Sequence, residues 1–540
     1  MSTFGTYTGD EQNNIFTAPN DGSSWVIYGE GGDDILTGGT GDDTINGDEG
    51  NDTITGGEGY DYLSGGEGDD LLVDIQGNVN GGGGTDTLRA DYSQFDNGFG
   101  VHVGYAGYNI IFSRRDASGL LTYSNIEKFD ITGTKYDDVL QGAADSDTLR
   151  GGGGNDEING AAGYDYLFGG DGNDVLIDTE GNIDGGAGTD ILVADYSQFN
   201  NGAGIDVGYS GQNAIVSSLT YNAVLNYSNI ERFNITGTQY ADILRGGSGD
   251  DTLNGAGGND QIIAGAGNDI VIDTQASIDG GVGVDTLVAD YSLFNNGAGI
   301  DVQQNAIFSR QTGNFLLGHV NVERFNITGT QYDDILRGGA SDDILSGGAG
   351  NDILIDANGT VDGGAGIDTL VADYTAKVDG AGIHLGWNGS NNVFSRVNGQ
   401  VLVNVSNIEK YNITGSQYQD VFEGRSDNDI FNGGAGNDIF YGDAGNDTLI
   451  GGTGNDTLYG GVGADSFVFN SSLEGLDVIK DFSWVQGDKI QISKVGFGVT
   501  NLNSFSYNDV TGGLFFQGTQ LATLENKPAG FSINLDVQLV

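Results

Sequence analysis

The 540-residue chain has no cysteine, two prolines and one methionine. The missing cysteine excludes disulfide scaffolds and thiolate metal sites. Positive charge is scarce. Lys and Arg total 19 against 77 Asp and Glu, for a net charge of −58. A chain this acidic repels phosphate and anionic lipid, so neither nucleic acid nor a membrane surface is expected as a partner. No apolar run approaches the roughly 18 residues of a membrane helix, so no membrane insertion is expected. The opening MSTFGTYTGDEQNNIF has neither a basic nor an apolar stretch, and no cleavable signal peptide is expected. Catalytic signatures are missing too: there is no G-x-S-x-G, H-E-x-x-H or Walker loop. Roughly 28 residues precede the first repeat, too few to fold alone, so no enzyme is expected.

Glycine is plentiful, at 98 residues. It has no three-residue period, which excludes collagen. Apolar residues make up 37% and recur on a register, which argues against disorder. The register is nine residues long, Gly-Gly-x-Gly-x-Asp-x-apolar-x. In GGTGDDTINGDEGNDTITGGEGYDYLSGGEGDDLL, Asp43, Asp52, Asp61 and Asp70 are evenly spaced, each followed two positions later by Ile45, Ile54, Leu63 or Leu72. The pattern runs through 29–73, 133–177, 237–272, 329–355 and 415–468. Longer segments join these blocks. They share ADYS or ADYT at 90, 194, 289 and 372, and a second motif, SNIEKFDITGT at 124, whose counterparts begin at 228, 320 and 406.

Nine residues are too few for a helix and its turn, and glycine breaks helices. The Gly/Asp-rich part forms a turn, because glycine takes positive φ without steric cost. The remaining three residues form a short strand with one inward apolar side chain. Two units then close one coil, and stacked coils lie about 4.8 Å apart. The joining segments alternate over longer stretches, as in Gly204–Gly208, and read as longer strands. Tyr92, Phe95, Tyr196, Phe199, Tyr291 and Phe294 are their expected core.

A turn presenting one carboxylate and several carbonyls suits a hard cation. Calcium takes six to eight oxygen ligands, so two stacked turns must share an ion. Asp34 with Asp52, or Asp43 with Asp61, would flank one. Magnesium prefers a tight octahedron with waters. Zinc is not expected without cysteine and with only His102, His319 and His384.

The pattern GGTGDDTIN, GDEGNDTIT, GGEGYDYLS resembles the repeats-in-toxin (RTX), or hemolysin-type calcium-binding, family. That resemblance implies an all-β fold, a right-handed parallel β-roll or β-solenoid that binds many Ca2+ ions and folds outside the cell. It carries metal-ligand roles onto Asp34, Asp43, Asp52, Asp61, Asp70, Asp156, Asp165, Asp174, Asp251, Asp260, Asp269, Asp343, Asp352, Asp438, Asp447 and Asp456. Carbonyls would come from first-position glycines such as Gly38, Gly47 and Gly151. Some units depart from the pattern. GTKYDDVLQ at 133–141 has Tyr136 at the fourth position, with like tyrosines at 240, 332 and 418, and GAADSDTLR at 142–150 has Asp145 there. These units are expected to keep the coil and bind calcium weakly or not at all. Seven-residue units such as DTEGNID (178–184) are expected to close a roll.

The expected organisation is an N-terminal cap at 1–28, then calcium rolls at 29–89, 133–193, 237–288, 329–371 and 415–468. Longer-strand inserts occupy 90–132, 194–236, 289–328 and 372–414, and a C-terminal β cap occupies 469–540. The segment after the last roll is similar to the cap of secreted family members, and the family's C-terminal region carries the signal of a type I (ABC transporter) exporter. The implied place is therefore extracellular, secreted or on the cell surface. With no catalytic motif, the expected function is a secreted calcium-stabilised structural rod for a surface layer, matrix or filament. Its inserts would present one similar surface, and exposed edges would support self-association. The alternative is a calcium-dependent adhesin whose inserts recognise glycan or protein.

Overall fold

The computed structural model describes residues 4–104, 108–200, 202–295 and 297–540. Cα packing divides the chain into residues 1–283 and 284–540. Each unit is a parallel β-roll, built of two sheets that the chain visits alternately.

In the first unit, Ile35–Thr37, Thr53–Thr55, Leu71–Val73 and Thr87–Asp91 stack in parallel on one face. Ser24–Tyr28, Thr44–Glu49, Asp61–Glu67 and Gly77–Gly83 stack on the other. The register is set by the repeat: Leu36 pairs with Ile54, and Ile54 with Leu72. All three are fully buried, and Ile27, Ile45 and Leu63 form the facing row. Burying each such side chain contributes about 1.5–3 kcal/mol. That row lies between two polar turn edges, so each coil adds a thin core layer and two turns.

Each insert leaves one strand and returns to stack on it. Lys128–Thr132 pairs in parallel with Thr87–Asp91, as Arg232–Thr236 does with Ile191–Asp195. In between, the first insert adds an antiparallel meander, Val101–Val103, Ile110–Ser113 and Gly119–Ser124, to the opposite sheet. Gly119–Ser124 continues from Gly77–Gly83, and Val101–Val103 leads on to Val139–Gln141. The insert tyrosines Tyr92 and Tyr196 are buried. Phe95 and Phe199 are half-buried and meet them edge-on at 6.0 and 5.8 Å.

Within each unit the two inserts do not share a face. The second insert's Ile205–Val207, Ala214–Ser217 and Ala223–Ser228 belong to the other sheet of the first unit. Each short repeat crosses from one sheet to the other. Six nonapeptides and one heptapeptide separate these inserts, an odd number, so the second meander lands opposite the first. In the second unit, four nonapeptides and one heptapeptide separate the inserts, again an odd number. There the meander Ile300–Gln303, Ala306–Ser309 and Phe315–Val320 and the meander Ile383–Leu385, Val393–Ser395 and Val401–Ser406 also lie in opposite sheets. The expected single display surface is therefore replaced, within each unit, by display on two faces.

The last roll has an aromatic core. Phe422, Phe431 and Phe440 are fully buried, with Phe422 and Phe440 stacked at 4.9 Å. The inserts are thus not the only aromatic layers. Beyond it, Thr519–Leu524 stacks on Asp477–Ile479, and Val537–Leu539 on Lys489–Ile492, covering the final coils of both sheets. Among the described residues, no helix is long and apolar enough to cross a membrane.

Candidate metal centre

All sixteen sequence-assigned aspartates are buried, none more than 3% exposed. They are wired together along the roll edges. The backbone N–H of Asp34 donates to Asp52 Oδ1 at 2.8 Å, Asp52 to Asp70 at 2.7 Å, and Asp70 to Asp86 at 2.8 Å. On the opposite edge Asp43 donates to Asp61 at 2.7 Å. The same ladder runs Asp138–Asp156–Asp174–Asp190 and Asp420–Asp438–Asp456. One oxygen of each carboxylate thus reads the stacking register.

The second oxygen divides the turns into two kinds. In Asp34, Asp52, Asp61, Asp70, Asp156, Asp165, Asp174, Asp260, Asp352, Asp438, Asp447 and Asp456, Oδ2 is buried with no hydrogen-bond donor. A buried polar atom without a partner costs about 1–3 kcal/mol, and more when charged, so a folded coil needs something there. In Asp43, Asp251 and Asp343, Oδ2 instead accepts from the N–H four residues earlier, Gly39, Gly247 or Gly339, at 2.6 Å. These three are the weaker candidates of the sixteen. Asp138, Asp242, Asp334 and Asp420 are held in the same way by Thr134, Thr238, Thr330 and Ser416, whose hydroxyls donate as well. They belong to the Tyr136-type units, expected to bind calcium weakly.

The cause is the peptide joining the first and second positions. Where Oδ2 has no donor, the second residue has positive φ: Gly57 109°, Gly152 104° and even Asp48 73°. Its N–H then turns away from the carboxylate. Gly39, Gly247, Gly339 and Thr134 do not take positive φ, and their N–H caps the aspartate. A β-branched threonine is strongly disfavoured in the left-handed region, so it holds the capped form.

First-position glycines complete the cradle. A Cβ on Gly47 would overlap Asp52 Oδ2 and lie 2.6 Å from the Gly65 carbonyl oxygen. Gly151 stands likewise between Asp156 Oδ2 and the Gly169 carbonyl, and Gly38 between Asp43 Oδ2 and the Gly56 carbonyl. Only a residue without Cβ leaves a carboxylate oxygen and a carbonyl oxygen facing one small space.

The electrostatics are unbalanced. No ion pair among the described residues reaches Asp52, Asp61, Asp70, Asp156, Asp165 or Asp174; basic side chains instead meet acids such as Asp130 and Glu525. Burial pushes Asp52, Asp61 and Asp70 up to about 6 despite the backbone N–H each accepts. Burial, aided by the like charges of Asp138 and Asp174, pushes Asp156 up to about 8. Asp438 and Asp447 stand at about 8 for the same reasons. These groups fit a hard cation: unpartnered carboxylate oxygen, carbonyl alongside, and no local positive charge. Among the described residues, no three His, Asp or Glu side chains converge as a metal cluster, so backbone oxygens must supply most ligands.

Comparison with known families agrees with this donor set. The RTX calcium-binding nonapeptide repeat matches residues 26–45, 46–73, 132–167, 168–195, 236–271, 326–355, 414–449 and 441–471. The chain carries RTX calcium-binding repeats. A solved structure, the extracellular lipase LipA from Serratia marcescens, is similar at 16% identity and a TM-score of 0.18, over 58% of this chain. The likeness spans 41% of the lipase chain. Among curated proteins no sequence matches this chain.

The RTX repeats hold further buried aspartates that the nine-residue beat passes over. Asp86, Asp190 and Asp368 are each fully buried and end a ladder, sixteen residues after the previous rung. The heptapeptide shifts them out of step. Counting from the sixth position of each unit, rather than along one beat, finds them.

Proposed function

We propose that this chain is a secreted calcium-binding structural protein, a rigid element of an extracellular layer, matrix or filament, whose folding is driven by Ca2+ after export by a type I exporter. One observation carries the reading: buried Oδ2 atoms without donors recur along both edges of the rolls, each beside a first-position glycine cradle. In this reading the ligands are the sixth-position aspartates assigned above, with carbonyls such as those of Gly38, Gly47 and Gly151. Sites with one carboxylate per turn are weak, in the roughly 0.1–1 mM range of extracellular calcium modules, so they fill outside a cell rather than in its cytosol. The role in this reading is non-enzymatic. Circular dichroism during a calcium titration after chelation tests the folding half of the proposal. Light scattering and electron microscopy of the same sample test the structural half, where polymers are expected. A chain that keeps full β structure in a strong chelator overturns the calcium reading.

A second reading, a calcium-dependent adhesin, draws on the inserts. His102 stacks on Phe112 at 5.0 Å beside exposed Tyr108 and Arg114, lining a cavity of about 610 Å³. In the other long inserts Tyr209 meets Tyr221 at 5.2 Å, and Trp387 meets Phe394 at 5.5 Å. Exposed aromatics beside polar groups suit a sugar ring. Calcium-loaded monomers that bind cells or glycans, without polymers, would favour this reading.

A further inference from the structure

In an ordinary turn the cradle over a first-position glycine holds one carboxylate oxygen and the carbonyl of the first-position glycine eighteen residues on, as Gly47 does with Asp52 and Gly65. At Gly56 the residue eighteen positions on is Asp74, the first residue of the heptapeptide. A Cβ on Gly56 would lie 2.5 Å from Asp61 Oδ2 and 2.7 Å from Asp74 Oδ2. A second carboxylate has taken the carbonyl's place. The same substitution recurs at Gly160, over Asp165 and Asp178, and at Gly255, over Asp260 and Asp273.

The heptapeptide explains the exchange. It is two residues short and lacks a sixth-position aspartate, so Asp61 donates its N–H to the Gln76 carbonyl instead of to a carboxylate. Asp74 Oδ1 is fixed by the N–H groups of Ile75 and Gln76 at 2.7 and 3.1 Å. That leaves Oδ2 directed at the Gly56 cradle. Asp74 is 4% exposed, Asp178 and Asp273 5% each, and Asp61, Asp165 and Asp260 at most 3%. The Oδ2 atoms of all six lack a donor. Two like charges this deep need a positive partner, and no basic side chain among the described residues pairs with them.

We infer that the three carboxylate pairs Asp61/Asp74, Asp165/Asp178 and Asp260/Asp273 are a separate class of divalent-cation site, tighter than the single-carboxylate turns and filled first. The inference rests on the calcium reading above. Affinity at calcium sites rises with the number of charged ligands, and here a carboxylate oxygen replaces a carbonyl oxygen in the cradle. The site also faces the insert. The Tyr92 hydroxyl donates to the Ile75 carbonyl at 2.9 Å, and Tyr196 to Thr179 at 2.8 Å. An ion at the pair therefore fixes the turn on which the insert's tyrosine is clasped. A fourth pair, Asp343/Asp356, is an internal control, because Asp343 Oδ2 already accepts from Gly339 N–H.

Equilibrium dialysis of the full chain against Ca2+ tests this, comparing wild type with the triple variant Asp74→Asn, Asp178→Asn, Asp273→Asn. The tightest class of ions is expected to shrink by three, each weakened about tenfold or more, while the later class and the calcium-saturated circular dichroism spectrum stay. Asp52→Asn should remove an ion only from the later class, and Asp356→Asn should change the tight class less than Asp178→Asn alone. A tight class unchanged in the triple variant overturns the inference, and means that each pair shares a proton instead. If the triple variant fails to fold, Asp178→Asn alone decides: one tight ion lost supports the inference, none lost overturns it. Absence of calcium binding in the wild type would overturn the underlying calcium reading, a result visible before any variant is measured.

Discussion

The turn at Asp156 and the turn at Asp242 obey the same nine-residue rule and behave differently. Both aspartates are buried, and both take part in the N–H to Oδ1 ladder. At Asp242 the second position is Thr238, whose N–H and hydroxyl reach Oδ2 at 2.7 and 3.1 Å. At Asp156 the second position is Gly152, at φ 104°, and Oδ2 has no donor. The Asp242 turn is complete as protein alone, while the Asp156 turn leaves a buried carboxylate oxygen for the cation of the proposed function. Within an otherwise uniform array, self-capped turns follow each insert, and turns whose Oδ2 has no donor predominate deeper in each roll, with Asp43 a self-capped exception in the first.

The largest expected effect is removal of calcium. A strong chelator should unfold the roll interiors cooperatively, because stacked buried carboxylates repel and the ordering entropy is no longer offset. The check is loss of the β signal in circular dichroism, reversed by added Ca2+. Protease digestion should leave protected fragments around the self-capped turns last, if the comparison holds.

Next comes pH in the chelated protein. Burial holds Asp52, Asp61 and Asp70 at about 6 and Asp156 at about 8, above the ordinary 3.8. For a raised carboxyl, the folded form binds more protons. Its stabilising contribution is full below about pH 4 and is lost as pH rises through about 6 to 8. The chelated chain should hold more β structure at about pH 5 than at about pH 8. With saturating calcium the order should reverse, since the ion binds the deprotonated carboxylate.

Single substitutions sharpen the contrast. Gly152→Thr places a β-branched residue at positive φ, with its Cβ against the Thr134 carbonyl. It should cost about 1–3 kcal/mol and remove one ion, or force the capped form seen at Asp242. Thr238→Val keeps the shape and loses the hydroxyl bonds to Asp242. It should cost about 1 kcal/mol in thermal or denaturant unfolding and leave the calcium count unchanged. Equal calcium losses in the two variants would erase the distinction between the turns.

Much of this protein was legible in the chain itself. The beat of glycine, aspartate and one apolar residue determines a short strand between two turns, because glycine takes positive φ without steric cost and Ile45 or Leu63 is the one large apolar side chain that its unit turns inward. The repeat type, the β-roll and the run of acidic turns follow from that beat. Three things were decided only by tertiary structure. Which carboxylate oxygens lack a donor depends on how one peptide plane faces its neighbour, and Gly39 and Gly57 share a residue type but not a conformation. The pairing of Asp61 with Asp74 depends on stacking a heptapeptide under a nonapeptide, which brings together residues the repeat numbers differently. The face that each insert enters depends on whether an odd or even number of half-coils precedes it. The local sequence of an insert does not record that count, and only the stacked coils convert it into a direction.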